Sequence, residues 1–281
     1  MKFLTVTALT LVTSAAFAKS NTEYFYLPSA AQSALTVDYS TKAHTDDDGT
    51  SSPKTTTSDI GLDYQYGLSE GNVIGAHTFS GSSKSDAANS TTKNGLGDIF
   101  IDYKGAMNLW HYGAELGINM GNMKDDNRSS GGMTLNANFG GLWSSNAWNY
   151  GFNIGLGYPF DRKAETGTPT TNLKETGGTS AMIAAFGEYN YGMGFIVGEL
   201  AEHMIQDTTI STDPATTDLK VKAFNYTSLK LEGTYDFNDM ITGLLSYEAD
   251  LLPSHDVTGA STTSYKSTTD SIAMLGVRFV F

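Results

Sequence analysis

The stretch AWNYGFNIGLGY, residues 147–158, alternates strictly between large apolar side chains and small or polar ones. One face collects the six apolar residues Trp148, Tyr150, Phe152, Ile154, Leu156 and Tyr158, and the other holds only Asn and Gly. A period of two predicts a β-strand with one apolar face. A strand of a soluble sandwich would carry charges opposite its apolar face, whereas small uncharged residues predict a face that looks into a confined, wet space.

The same alternation recurs along the chain after residue 32. It predicts about 12 strands, at residues 35–39, 59–66, 73–79, 98–104, 111–120, 133–139, 147–158, 181–189, 195–205, 229–235, 241–251 and 271–281. The strand at 73–79 carries no Asp, Glu, Lys or Arg, so the pattern does not set its facing. In the strand at 195–205 either face carries a glutamate; we place Glu199 inside and leave Glu202 near the outer rim, where a charge costs less.

The connections between these strands alternate between short and long. The short set is 67–71, 106–109, 144–146, 190–194 and 236–239, and the long set, rich in Thr, Ser, Asp and Gly, is 44–57, 81–95, 122–131, 159–178, 206–220 and 253–268. Short turns at one end and long loops at the other are typical of outer-membrane barrels. The sequence therefore predicts an all-β, transmembrane, antiparallel up-and-down β-barrel. A secreted β-sandwich or β-helix is the alternative, but it does not explain the asymmetry of the loops.

The beginning of the chain predicts export from the cytoplasm. Residues 1–18 combine Lys2, a short apolar run and an A-x-A site at 16–18, which is the pattern of a secretory signal peptide. Residues 19–32 form a separate N-terminal segment, and 33–281 form the barrel. Because residues 23–28 are rich in aromatics, we expect the segment either to enter the lumen from the periplasm or to extend the first strand.

Composition narrows the classes of function. The chain has 281 residues, no cysteine and a formal charge of −13, which becomes −14 once Lys2 is removed with residues 1–18. An acidic chain is a poor nucleic-acid ligand, and the absence of cysteine excludes disulfides and thiolate metal sites. The partners predicted are outer-membrane lipid and lipopolysaccharide, the barrel-assembly machinery and small solutes, in a Gram-negative outer membrane. The sequence pattern does not indicate which oligomeric state the barrel has.

The final strand, SIAMLGVRFVF at 271–281, places Phe281 at the periplasmic rim. An alternating last strand that ends in Phe resembles the terminal signature that outer-membrane proteins present to their assembly machinery. That resemblance makes Phe281 the predicted assembly signal.

Two internal segments and one turn resemble a known family. The segments YQYGLSEGNVIGAHTFSG at 64–81 and NGLGDIFIDYKG at 94–105, with the turn YDFNDMITG at 235–243, resemble patterns of MetA-pathway phenol-degradation-like outer-membrane proteins. The resemblance implies a barrel of porin or transporter type and leaves the solute open.

The inner faces of the predicted strands are rich in acids. The residues predicted to line a pore are Asp59, Asp63, Asp98, Asp102, Lys104, Glu115, Glu188, Glu199, Lys230, Glu232, Glu248 and Arg278; Asp38, Asp250 and Lys222 are also expected to point inward. An acidic wall favours cations in an aqueous pore. The predicted function is therefore passive passage of small solutes with cation preference. Charges that fill the barrel for stability are the alternative.

The five histidines lack the neighbours of two catalytic patterns known from outer-membrane barrels. None has Ser two residues later, as an outer-membrane phospholipase would need, and none has Asp two residues earlier, as an omptin-like protease would need. We predict no enzyme, no cofactor and no metal site; residues 46–49, DDDG, lack the spacing of a calcium loop. A structural or adhesive barrel acting through its loops and a hydrolase at the rim remain the alternative functions.

Overall fold

The computed structural model describes residues 26–47, 49, 51–86, 92–107, 109–118, 132–166, 171–213, 218–251, 255–258, 262–265 and 267–281. The predicted signal peptide and residues 19–25 lie outside these ranges. The strands in chain order are β1 (Ser33–Asp47), β2 (Lys54–Ser69), β3 (Asn72–Ser85), β4 (Lys93–Met107), β5 (Trp110–Ile118), β6 (Thr134–Ser145), β7 (Trp148–Pro159), β8 (Arg162–Thr166), β9 (Thr171–Gly177), β10 (Ser180–Asn190), β11 (Phe195–Ile205), β12 (Thr208–Asp213), β13 (Leu219–Val221), β14 (Phe224–Asn238), β15 (Ile241–Leu251), β16 (His255–Thr258), β17 (Thr262–Tyr265) and β18 (Ser267–Val280). No helix long and apolar enough to cross a membrane occurs in this part of the chain.

Twelve strands close into one antiparallel barrel, in the order β1-β18-β15-β14-β11-β10-β7-β6-β5-β4-β3-β2. Each barrel strand pairs with its neighbours in sequence, except that β1 also pairs with β18 and so closes the wall. At the seam, the amide of Ser33 donates to the carbonyl of Phe281 at 2.8 Å, and the amide of Phe281 donates back at 2.9 Å. Closure leaves no free strand edge in the membrane. The predicted fold and strand number are confirmed.

The outer surface of the barrel is an apolar belt. On β7 the exposed residues are the even-numbered Trp148, Tyr150, Ile154, Leu156 and Tyr158, as the alternation predicts. Aromatic rings pack together towards the end with the short turns, for example Trp148 against Tyr189 at 4.9 Å. An apolar band with aromatic residues at its margins is how bacterial barrels meet lipid.

A second sheet lies at the end of the barrel with the long connections, which is the extracellular end in an outer-membrane barrel. Its six strands are ordered β17-β16-β13-β12-β9-β8 and come from the connections 159–178, 206–220 and 253–268. Val221 and Val257 form its small apolar cluster, with Phe224 packed against them. The sequence pattern predicted only loops here. These strands are short and rich in Thr, so they lack the apolar alternation that identified the barrel strands.

Candidate functional site: the barrel interior

The inner face of the barrel wall carries all twelve residues predicted to line a pore. In each barrel strand that holds any of them, these residues share the parity of the buried residues, while the residues between them are exposed or partly exposed on the outside. The exposed fractions of Asp102, Lys230, Glu232 and Arg278 are 4%, 5%, 3% and 3%. These charged side chains are therefore packed against other residues of the inner wall.

The wall from β2 to β6 is polar. Gln65 donates to Asp63 at 2.9 Å, and Asn136 donates to Glu115 at 3.1 Å. Lys104 Nζ lies 4.0 Å from Asp102 Oδ2. Amides and one lysine thus lie beside the acids of this part of the wall, as buried charges require.

A second group of charges lies on the other side of the barrel, on β1, β11, β14, β15 and β18. Lys230 on β14 stands between Glu199 on β11 and Glu248 on β15 in the strand register. Towards the extracellular end, Lys42 Nζ pairs with Asp270 at 2.9 Å, and His44 Nδ1 contacts the same carboxylate. These positions place basic groups between acids, which limits the cost of burying them.

Apolar side chains occupy part of the inner face of β10 and β11. Met182, Ala184 and Ala201 form a buried cluster, and Phe186 and Val197 are buried in the same two strands. Glu188 and Glu199 lie on the same inner faces, and Glu199 pairs with Phe186 in the register. Apolar and acidic side chains are therefore mixed on these two strands.

Inward glycines let long polar side chains fold against the wall. A Cβ on Gly61 would meet Asp38 Oδ2, and a Cβ on Gly113 would meet Asn138 Oδ1. The side chain of a residue thus occupies the space above a glycine on the neighbouring strand. This keeps acidic and amide groups close to the wall, away from the barrel axis.

The described part of the N-terminal segment touches the interior near the periplasmic end. Arg278 Cζ lies 3.9 Å from the centroid of the Tyr26 ring, and Pro28 is buried. Burial raises the pKa of Tyr26, while the charge of Arg278 acts to lower it. The phenol is therefore neutral at physiological pH and packs as a ring against the guanidinium.

Some inner-wall residues were missed by sequence reasoning. Lys42, His44, His77, His111 and Asp270 face inward and were not among the predicted lining residues. No local signal could have found the contact of His44 with Asp270, since 226 residues separate them. One expectation is corrected: Lys222 is exposed beyond β13 and lies outside the barrel wall.

Two groups of side chains have the composition of chemical sites. Asp63, His77 and Asp102 each offer one ligand atom, and these atoms lie within 4.8 Å of one another. Near the extracellular end, His203 Nε2 lies 3.0 Å from Ser228 Oγ, and both residues are buried. The sequence pattern indicates neither group, because their members lie on different strands.

Comparison with solved structures identifies the architecture. The COG4313 outer membrane channel from Pseudomonas putida F1 is 13% identical, with a TM-score of 0.68, over 94% of this chain and 100% of that one. The beta domain of the Bordetella autotransporter BrkA is 11% identical, with a TM-score of 0.50, over 89% of this chain and 100% of that one. The fold is that of an outer-membrane barrel. The predicted location in the bacterial outer membrane is confirmed with it.

The chain has a weaker likeness to the P. putida protein TodX. The deltaS2S3 mutant of TodX, a monoaromatic hydrocarbon channel, is 12% identical with a TM-score of 0.47. The match covers 94% of this chain and 92% of that one. No protein-family model and no curated protein sequence matches the chain.

Proposed function

We propose that this barrel is a channel for passive passage of small solutes across the outer membrane, with a preference for cations. The observation that carries the proposal is the charge of the inner wall. Nine of the twelve predicted lining residues are acids and three are bases. Acidic groups along an aqueous passage attract cations and repel anions.

The size of the barrel supports a narrow passage. Eight-stranded barrels fill their interior with side chains, whereas barrels of 16 to 18 strands leave a wide channel. Twelve strands lie between these cases. Carboxylates that fold over glycines, such as Asp38 over Gly61, leave more room near the axis than projecting side chains would.

The fold supports passage as well. The P. putida protein with a TM-score of 0.68 is described as an outer membrane channel. Its identity to this chain is low, so the likeness supports the class of function and leaves the solute open.

The proposal is tested by single-channel recording of the refolded mature protein in a planar bilayer with a KCl gradient. We expect discrete openings and a reversal potential of the sign that K⁺ preference gives. The double variant Asp98→Asn, Asp102→Asn should shift the reversal potential towards zero. An inserted barrel that stays silent contradicts passage, and an anion-selective reversal potential contradicts the preference.

A matched double variant controls for the loss of two charges. Asp218 and Asp256 are exposed and lie outside the barrel wall. The variant Asp218→Asn, Asp256→Asn removes the same charge with the same chemistry. It should leave the reversal potential unchanged if wall charges determine selectivity.

One observation favours an adhesive function as a second candidate. The six-stranded sheet at the extracellular end extends the protein beyond the membrane and has its own apolar cluster. Deleting the hairpin β16–β17 should lower attachment of expressing cells to other surfaces while the conductance survives. Unchanged attachment would remove this candidate.

One contact bears on the alternative of a hydrolase at the mouth. A nucleophile needs a base within hydrogen-bonding reach, and Ser228 and His203 satisfy that distance. Both are buried, at 3% and 5% exposure, which keeps a lipid or peptide substrate away from the hydroxyl. Hydrolysis of phospholipid or peptide in detergent that is lost in Ser228→Ala would establish this candidate; its absence would dismiss it.

A further inference from the structure

We propose that Asp63, His77 and Asp102 form a binding site for one divalent transition-metal ion of the Zn²⁺ type on the inner wall of the barrel. Each residue offers one ligand atom, and the three atoms lie within 4.8 Å of one another. Two carboxylates and an imidazole are ligands that Zn²⁺ accepts, and three protein ligands leave a position open to water or a solute.

The strand register brings the three residues together. Asp63 on β2 pairs directly with His77 on β3, and Asp102 on β4 pairs with Gly75, two residues before His77. All three face the interior. Asp63 and Asp102 lie two strands apart, about 10 Å between backbones, so their carboxylates must converge over β3 to meet.

Gly75 makes this convergence possible. A Cβ on Gly75 would lie 2.5 Å from Asp102 Oδ1 and 2.9 Å from Oδ2. The carboxylate of Asp102 therefore occupies the space that any other residue at position 75 would fill. The glycine lets Asp102 lean across β3 towards the face that Asp63 and His77 share.

The imidazole is held in one orientation. His77 stacks on Phe100 with ring centroids 4.5 Å apart and an interplanar angle of 4°. Glu115 Oε2 lies 3.7 Å from His77 Nδ1, and Asn136 donates to the other oxygen of that carboxylate. Carboxylates beside metal-binding histidines commonly orient the ring. At this distance Glu115 acts through its charge and not through a hydrogen bond, and we assign it as a positioning residue.

The rival interpretation is a network of charges without a metal. Lys104 lies 4.0 Å from Asp102 and would serve such a network as its cation. The two interpretations differ in stoichiometry, because only a metal site takes up one ion per barrel.

The test is titration of the refolded, chelator-treated and dialysed mature barrel with Zn²⁺ by calorimetry, with Co²⁺ absorption as a second readout of imidazole and carboxylate ligation. We expect one ion per barrel. Asp63→Asn and Asp102→Asn keep the side-chain shape and should each weaken binding by more than about 100-fold, since loss of an outer partner alone costs about 10- to 100-fold. For the same reason Glu115→Gln should weaken binding by about 10- to 100-fold.

Two further variants separate ligation from general damage. Gly75→Ala displaces Asp102 without removing a ligand and should weaken Zn²⁺ binding. His203→Gln is the matched control, because His203 also faces inward and stacks on an aromatic ring, Tyr226, at 4.4 Å; it should leave Zn²⁺ binding unchanged.

Folding of each variant is checked by the gel shift of unheated barrel, so an unfolded sample is not scored. Zn²⁺ uptake that is absent, or that survives Asp63→Asn and Asp102→Asn unchanged, overturns the site. The titration requires no conduction, so its result stands apart from the outcome of the channel recordings.

Discussion

The guanidinium of Arg278 lies over the ring of Tyr26, with Cζ 3.9 Å from the ring centroid. Arg278 belongs to the inner face of β18 near the periplasmic end, whereas Tyr26 belongs to the segment that precedes the barrel. The contact therefore ties that segment to the inner wall. We expect the segment to narrow the passage at this end.

Loosening that contact should widen the passage. A cation–π pair of this kind contributes about 0.5–2 kcal/mol, so Tyr26→Ala should raise single-channel conductance or the fraction of time spent open. Tyr189→Ala is the control, because Tyr189 lies on the outer surface at the same end. Equal conductance in Tyr26→Ala and the unaltered protein would mean that the segment does not restrict flow.

A charge introduced into the apolar belt should destabilise the protein more at the middle of the membrane than at its edge. Leu200 is 53% exposed near the middle of β11, and Leu68 is 53% exposed at the periplasmic end of β2. Leu200→Arg should lower the free energy of unfolding in liposomes by about 2–4 kcal/mol, and Leu68→Arg by about 0–1 kcal/mol. Urea titration of both variants measures the difference. Similar losses at the two positions would contradict the placement of the membrane.

Two glycines in neighbouring strands should differ in their tolerance of a methyl group. A Cβ on Gly151 would lie 2.0 Å from the carbonyl oxygen of Gly141, which is backbone and cannot rotate away. A Cβ on Gly187 meets nothing within 4 Å. Gly151→Ala should therefore lower stability by about 1–3 kcal/mol, and Gly187→Ala should leave the urea midpoint nearly unchanged. A midpoint equal in both variants would show that the wall relaxes around residue 151.

Removing the charge of Lys230 should destabilise the barrel. Lys230 is 5% exposed and stands between Glu199 and Glu248. Lys230→Met leaves these acids without the positive charge between them, so it should lower the free energy of unfolding by about 0.5–3 kcal/mol, the usual range for a destabilising substitution. Lys84→Met, at an exposed position of β3, is the matched control. Unfolding in urea at pH 7 compares the two, and equal midpoints would mean that Lys230 does not balance its neighbours.

The alternation of side chains along the sequence is enough to predict much of the barrel wall. The apolar face of residues 147–158 excludes charge and so sets which side meets lipid. The placement of Glu199 inside follows from the same cost, and the structure has it on the inner face, with Glu202 on the outer one, accepting a hydrogen bond from Thr227 at 2.7 Å. The strand at 73–79 carries no Asp, Glu, Lys or Arg, so only its pairing with the neighbouring strands shows which of its faces points inward. Pairing with Asp63 turns His77 inward.

The same reasoning could not predict the extracellular sheet. The strand β13 has three residues and pairs with β16, more than 30 positions later in the chain. Three residues are too few to display a period of two. The strand exists because hydrogen-bonding partners from another connection lie beside it.

The order of side chains along each strand already contains the class of the fold, because a period of two is a local property and lipid penalises charge on one face. Register is different, since it depends on which residues of distant strands share hydrogen bonds. The pairing of His44 with Asp270 across the seam, and the convergence of Asp63, His77 and Asp102 over Gly75, arise only when the sheet has closed. Closure therefore decides which of the inward groups can act together.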